Sequence, residues 1–416
     1  MDKNFKRVKY ACYGNNITMA IIGNLSPILF LTFRQTYGIS YTLLGLLVLI
    51  NFTSQLIIDL IFSFFSHKFN ISLTVKLMPL VAILGLVFYA ISPYVFPNNV
   101  YLGIAIGTII FSVSSGLAEV LVSPVIASIP SETPDHEMSK LHSIYAWGVV
   151  GFVVFATLFL LVFGRERWQI LVLILTLVPF VTFLLSAGTT LPEMKKPEKV
   201  SGAISMLKRK EVWICFIAIF LGGASECSMS QWSSSYLEQA LGLEKVWGDL
   251  FGVALFGLTL GVGRTIYAKI GKNIEKVLLY CAIGATCCYL VAALSPIPVI
   301  GLIACAMTGF ATSMLWPGSL IVAEKKNPHG GVFIFAMMAA GGDLGASVAP
   351  QLIGVITDAT TASSCALSLS QSLGLTIEQL CMRFGILAGT AFPLVAIIVF
   401  ALIYKSNKRK ERLLDE

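Results

Sequence analysis

The stretch Leu191–Lys210, LPEMKKPEKVSGAISMLKRK, is the longest polar break in this chain and is rich in Lys, Pro and Ser. Six long apolar runs precede it, at about 10–33, 40–65, 73–96, 100–129, 141–164 and 169–190. Six follow it, at about 211–237, 248–270, 276–295, 298–322, 331–357 and 382–404. A helix needs about 20 mostly apolar residues to cross a bilayer, and these runs reach that length. The pattern predicts an all-α membrane protein of twelve transmembrane helices in two pseudo-symmetric six-helix bundles. The bundles cover 1–190 and 211–404, with 191–210 as a cytoplasmic linker and 405–416 as a basic cytoplasmic tail.

Composition agrees with that reading. The chain has 416 residues, of which 56% are hydrophobic and only 12% charged. Soluble domains carry about 25% charged residues, so a soluble enzyme, a nucleic-acid-binding domain and a disordered chain are excluded. The net charge of +7 is not a patch for an acidic partner, because the basic residues sit in the short stretches between apolar runs. Counted by side, twenty-three Lys and Arg fall with the termini and five opposite, with Arg264 inside a span. That bias places both termini in the cytoplasm of a plasma (inner) membrane protein. The basic start, Lys3 to Lys9, runs into a full-length apolar helix with no A-x-A-like site, so it is not read as a cleaved signal. The nine Cys are scattered and lack CxxC spacing. Cys365 and Cys381 flank an external loop and are read as thiols in preference to a disulfide.

The two halves echo each other. Gly116-Leu117-Ala118-Glu119 followed by Pro124 in the fourth span matches Gly309-Phe310-Ala311-Thr312 followed by Pro317 in the tenth. Tyr13-Gly14-Asn15-Asn16 in the first span pairs with Gly223-Ala224-Ser225-Glu226 in the seventh. Such parallel repeats fit a binding site between two halves near the midplane.

Ionisable residues in the apolar runs are costly there and are functional candidates by default. Glu119 shares one helix face with Ser112, Ser115 and Ser123. Pro124 disturbs the same helix and frees a carbonyl that something must satisfy. A carboxyl group shielded from water at that point is a proton carrier, or else a structural acid bonded to a neighbouring helix. Asp343 lies among Gly341, Gly342 and Gly345, where it suits a coupling site or a partner for Arg264. Glu226 stands near Gln231 and Trp232, a mixture of acid, amide and indole that suits a polyol, an amino acid or a drug. Trp147 and Trp316 are stacking surfaces or interfacial anchors. Asp59 and Arg264 read as gating or structural charges toward the cytoplasmic side, and His142 as a proton relay or an interface residue. No G-x-x-x-x-G-K-[ST] motif is present to drive a pump with ATP.

The six-plus-six layout, the basic central loop and the paired halves resemble the major facilitator superfamily over essentially the whole chain. The family's signature after the second span is altered here, since Ser66 stands where the family has Asp. Its echo in the second half, Gly263-Arg264 through Lys269-Ile270-Gly271-Lys272, is closer. Within the superfamily, Gly116 to Pro124 resembles the fourth span of the fucose–proton symporter branch, where Glu119 matches a substrate- and proton-linked glutamate. Ser123 replaces that branch's Asn, and the first span offers Asn15, Asn16 and Asn24 where the branch has Asp. Coupling as in that branch would then draw on a second acid, Glu226 or Asp343.

The resulting expectation is a secondary active transporter working by alternating access, and not an enzyme. It takes up a sugar or similar small polar solute with protons. The alternative is a cation-coupled exporter of drugs or metabolites. Asn15, Asn16, Glu119, Trp147, Glu226, Gln231, Trp232 and Trp316 are the expected substrate residues. Glu119, Glu226, Asp343, Arg264, Asp59 and His142 are the expected coupling and gating residues. No cofactor or bound metal is expected beyond H⁺ or Na⁺ as coupling ion. The partners are a small molecule and the lipid bilayer, with no nucleic acid, and the resemblance implies a monomer.

Overall fold

The computed structural model describes residues 3–65, 68–130, 134–192, 208–270, 273–327 and 331–415. The central linker therefore falls mostly outside the described residues. Twelve helices organise the rest. The first six are α1 (Lys3–Tyr37), α2 (Tyr41–Phe65), α3 (Ile71–Val95), α4 (Val100–Ala127), α5 (Pro134–Phe163) and α6 (Arg165–Ser186). The others are α7 (Lys210–Leu241), α8 (Lys245–Tyr267), α9 (Ile274–Leu294), α10 (Pro298–Lys326), α11 (Gly331–Thr361) and α12 (Ile377–Asn407). Among the described residues ten of these are each long and apolar enough to cross a membrane. In α5 the apolar part is the shorter Trp147–Phe163, and α11 turns through 84° into a helix at Ser364–Leu373. Beyond the last apolar run the helix continues to Asp415, so the basic tail is helical. Cys365 is exposed and Cys381 buried, both as thiols.

The chain divides into two compact units, Met1–Ile39 with Ile50–Val200, and Ser40–Leu49 with Ser201–Glu416. Helices of each unit meet through small residues, as expected where lipid supplies no hydrophobic drive between helices and packing must do so. Gly103 and Gly107, spaced as G-x-x-x-G, face α3. A Cβ on Gly107 would lie 2.8 Å from the Tyr89 backbone, and one on Gly103 2.6 Å from Ser92 Cβ. Next to that seam Phe33, Tyr89, Phe111 and the wholly buried Trp168 form an aromatic cluster, with ring centroids 5.1–5.9 Å apart in the contacting pairs. The Tyr89 hydroxyl sits 3.1 Å from Ser26 Oγ, so burying it leaves no orphan.

In the second unit α7 packs along α11. Gly345 faces the Phe220 carbonyl and Gly223 the Gly342 carbonyl, both too close to admit a side chain. α8 opens with a short turn and a π-helical stretch, Gly248–Ala254. There the buried Asp249 accepts hydrogen bonds from Ser234 Oγ and from Lys245 Nζ, the latter 2.9 Å from Oδ2. The start of α2 belongs to this unit. Tyr41 and Thr42 donate their backbone N–H groups to the Asp358 carboxylate at 3.2 and 2.6 Å. An acceptor at the end of a helix satisfies donors that the helix leaves unused.

Gly107→Ala should lower the thermal unfolding midpoint in detergent, by an amount corresponding to about 1–3 kcal/mol of overpacking. Gly261→Ala, where a Cβ meets nothing within 4 Å, should leave the midpoint unchanged or raise it. Equal effects from the two would show that the α3–α4 seam does not depend on the missing side chain.

Candidate functional site

In the N-terminal unit Asn51, Gln55 and Asp59 recur every four residues along α2, and so share one face. Opposite them on α4 stand Ser112, Ser115 and Glu119. Ser112 Oγ donates to Asn51 Oδ1 at 2.6 Å, Gln55 Nε2 to the same oxygen at 3.0 Å, and Ser115 Oγ to Gln55 Oε1 at 2.9 Å. All four side chains are buried. One turn further along, carboxylate oxygens of Asp59 and Glu119 lie within 4.8 Å of each other, the former buried and the latter exposed. Two carboxyl groups this close hold a shared proton or cation more readily than two bare negative charges. Close helix approach makes the ladder possible. A Cβ on Gly116 would lie 3.0 Å from Gln55 Cα.

Asp59, expected as a gating or structural charge, lies beside Glu119. Asn51 and Gln55 were not singled out in the sequence, because uncharged amides pass a search for charge. Their four-residue spacing to Asp59 was the available signal.

The first span contributes less than expected. Asn16 Nδ2 donates to the Leu141 carbonyl at 3.0 Å and so ties α1 to α5. Asn15 is buried, and its Nδ2 finds no acceptor among the described residues, a need that a ligand or water can meet. Trp147 stands 68% exposed in a recess lined by apolar side chains. His142 lies in α5 with its side chain outside those described.

In the C-terminal unit Arg264 pairs with Glu226 and not with Asp343. Its Nη2 lies 3.3 Å from both Glu226 carboxylate oxygens. The same guanidinium donates through Nε to the Ser313 carbonyl at 3.1 Å. That carbonyl is four residues before Pro317, which has no N–H to offer it, and α10 is broken at Ser313 and Met314. Arg264 therefore satisfies both a carboxylate and an orphan carbonyl. Asp343 is buried one helix away, and Glu226, Asp343 and Arg264 all lie near enough to Cys227 to act on it electrostatically.

Trp316 is wedged between α7 and α11. Cβ atoms on Gly223 and Gly342 would lie 3.0 and 2.5 Å from its ring. Trp232, expected as a stacking surface, is wholly buried, and its Nε1 donates to the Pro350 carbonyl at 2.9 Å. Its ring packs on Tyr41, with centroids 6.0 Å apart, so it serves packing. Gln231 beside it is also buried.

Membrane-crossing helices in two units, with ionisable side chains on buried polar seams, define a multi-pass membrane protein of the transporter class. The model of the Major Facilitator Superfamily matches residues 11–350. The chain belongs to that superfamily. A bacterial homologue of the human lysosomal transporter Spinster, in an inward-facing and occupied conformation, aligns at a TM-score of 0.74 and 12% identity over 97% of this chain and 98% of its own. A D-xylose–proton symporter aligns at 0.72 and 14% over 96% and 97%. The E. coli fucose:proton symporter FucP aligns at 0.61 and 13% over 95% and 98%. These likenesses are of fold. Among curated proteins no match is found.

The double role of Arg264 is testable. Arg264→Gln should cost stability at the low end of the penalty for an unsatisfied group, about 1 kcal/mol, since the side chain is 43% exposed. Pro317→Ala restores an N–H to Ser313, so it should stabilise Arg264→Gln more than it stabilises the parent protein. A double-mutant cycle on unfolding in detergent reads this directly. Strict additivity would remove the carbonyl from Arg264's role.

Proposed function

We propose that this protein is a proton-coupled symporter that takes up a sugar or similar small polar solute by alternating access, with both termini on the cytoplasmic side of the plasma membrane. The observation that carries the reading is the Asp59–Glu119 carboxyl pair at the end of the buried Asn51–Gln55–Ser112–Ser115 ladder. A proton held between two acids is released when one of them gains a different partner, and that exchange is what coupling requires. The ladder fixes the α2 and α4 backbones, so the two carboxyl groups keep their separation. In the second unit Glu226 is held by Arg264, and the ion exchange is assigned to the N-terminal pair for its proximity. The sugar preference is supported by the symporters of fucose and xylose among its structural relatives, and by the buried amide of Asn15.

In proteoliposomes an inward pH gradient should drive accumulation of one member of a panel of pentoses, hexoses and nucleosides. Glu119→Gln and Asp59→Asn should each abolish accumulation while leaving substrate counterflow within about threefold of wild type, because exchange needs no net proton movement. Accumulation that follows a Na⁺ gradient alone would replace the proton with Na⁺. Export of a cationic dye against the pH gradient, with no sugar or nucleoside moved, would overturn the reading in favour of an antiporter.

A further inference from the structure

α2 is a continuous helix of 25 residues whose two ends are held by different parts of the chain. From Ile50 onward it belongs to the N-terminal unit, where Asn51 and Gln55 bond to Ser112 and Ser115 of α4. Its start, with Ser40 before it and as far as Leu49, belongs to the C-terminal unit. Gly45 is its one glycine, and no proline interrupts it. Beyond Gly45 nothing in the sequence eases a bend, so the helix carries movement from one end to the other.

The start is seated by close packing and by its caps. Tyr41 is buried, with its ring against that of Trp232 on α7. Gly354 of α11 leaves no room for a side chain beside the Tyr41 carbonyl. A Cβ on Gly45 would lie 3.1 Å from Gln351 Cα, so α2 and α11 meet through their backbones. The N–H groups that a helix start leaves unused are taken up as well. Ser40 Oγ accepts from Leu43, and the Asp358 carboxylate accepts from Tyr41 and Thr42. Asp358 is out of place in its own helix. It falls in the last turn of α11, where the helix dipole disfavours an anion. At the N-terminus of α2 the same charge is favourable, so it serves α2 at a cost to α11. Gly38, at a φ of +65° with nothing within 4 Å of a Cβ, joins α1 to this start and can absorb a change of direction.

We propose that Asp358 is a latch that seats the start of α2 on α7 and α11, and that its release is a required step of the transport cycle. The inference rests on the alternating-access reading, in which the two units change their relative position. A helix that does not bend cannot follow both units, so one of its attachments must part. Parting the ladder would strand four buried polar side chains, Asn51, Gln55, Ser112 and Ser115. The Asp358 end is only half-buried, and water can solvate both the carboxylate and the freed N–H groups. The latch is therefore the attachment that parts.

The test uses the full-length protein in proteoliposomes. Val48, in the seated segment and 2% exposed, is replaced by Cys. Its alkylation by N-ethylmaleimide is followed by peptide mass spectrometry, which separates it from the native thiols. In the Val48→Cys background Asp358→Asn should speed alkylation at residue 48 about tenfold, the size of a lost charge-assisted cap. Gly354→Leu, which drives a side chain against Tyr41, should do the same without touching the carboxylate. Thr42→Cys with Asp358→Cys replaces the latch by a disulfide. Oxidised, that variant should block substrate counterflow, and reduction should restore it. A cap that only stiffens the helix would leave counterflow indifferent to the disulfide, and that result would overturn the proposal. Alkylation unchanged in both Asp358→Asn and Gly354→Leu would overturn it too. The alkylation readout needs no transported solute. Failure of the transport reading would instead appear as absent counterflow in the parent protein, with the alkylation response intact.

Discussion

Gly116 stands so close to α2 that even a methyl group there would press on the Gln55 backbone. The polar interior of the N-terminal unit depends on that approach. At membrane depth a buried hydroxyl or amide away from any water-filled cavity must find a partner inside the protein. Serine has a short reach, and Ser112 and Ser115 meet Asn51 and Gln55 only because a glycine brings the two backbones together. A bulkier residue at 116 would separate the helices and strand four polar groups at once. It would also part Asp59 from Glu119.

The same solution recurs in the second unit. Gly309, which matches Gly116 in the sequence echo, packs on the Phe256 carbonyl and Thr259 of α8, too close for any side chain. Since α8 is the second helix of its half, as α2 is of the first, this echo is a repeated contact. Thr259 Oγ1 bridges to the Ala306 carbonyl at 2.6 Å and is the counterpart of the serine–amide bonds. The other echo is different. Gly14 faces Thr182 of α6, whereas Gly223 faces Trp316 and the α11 backbone. Similar sequence there serves different packing, since α7 accommodates the Trp316 ring at Gly223 and α1 meets a threonine at Gly14.

The all-helical, multi-pass membrane fold was legible from apolar length alone, a signal that the bilayer enforces. What escaped was partner choice. Asp343 and Arg264 look like a pair because both are charged and both fall inside apolar runs, yet the break at Ser313 and Pro317 fixes where the guanidinium lies, and Glu226 is the acid within its reach. Asp249 was hidden differently. It falls at the margin of an apolar run, where charge is unremarkable, and a π-helical turn carries it inward to Ser234 and Lys245. Trp232 illustrates a third limit. An indole beside an acid and an amide has the composition of a sugar site, but composition does not say which face of the helix a neighbour will cover.

Charge balance then separates the acids by role. Glu226 is compensated by an arginine that is itself fixed by a backbone carbonyl, and exchanging that partner would leave both the guanidinium and Ser313 unsatisfied, so the pair is costly to disturb. Asp59 and Glu119 instead face each other from α2 and α4, with carboxylate oxygens within 4.8 Å. Two like charges in a low-dielectric span gain from a proton or cation and lose little structure when it departs, because the ladder beside them holds the helices in either state. The resemblance to the fucose–proton branch implies a second acid in α7 or α11. Asp59, an acid of α2, lies within 4.8 Å of Glu119, one helix away and not on α7 or α11.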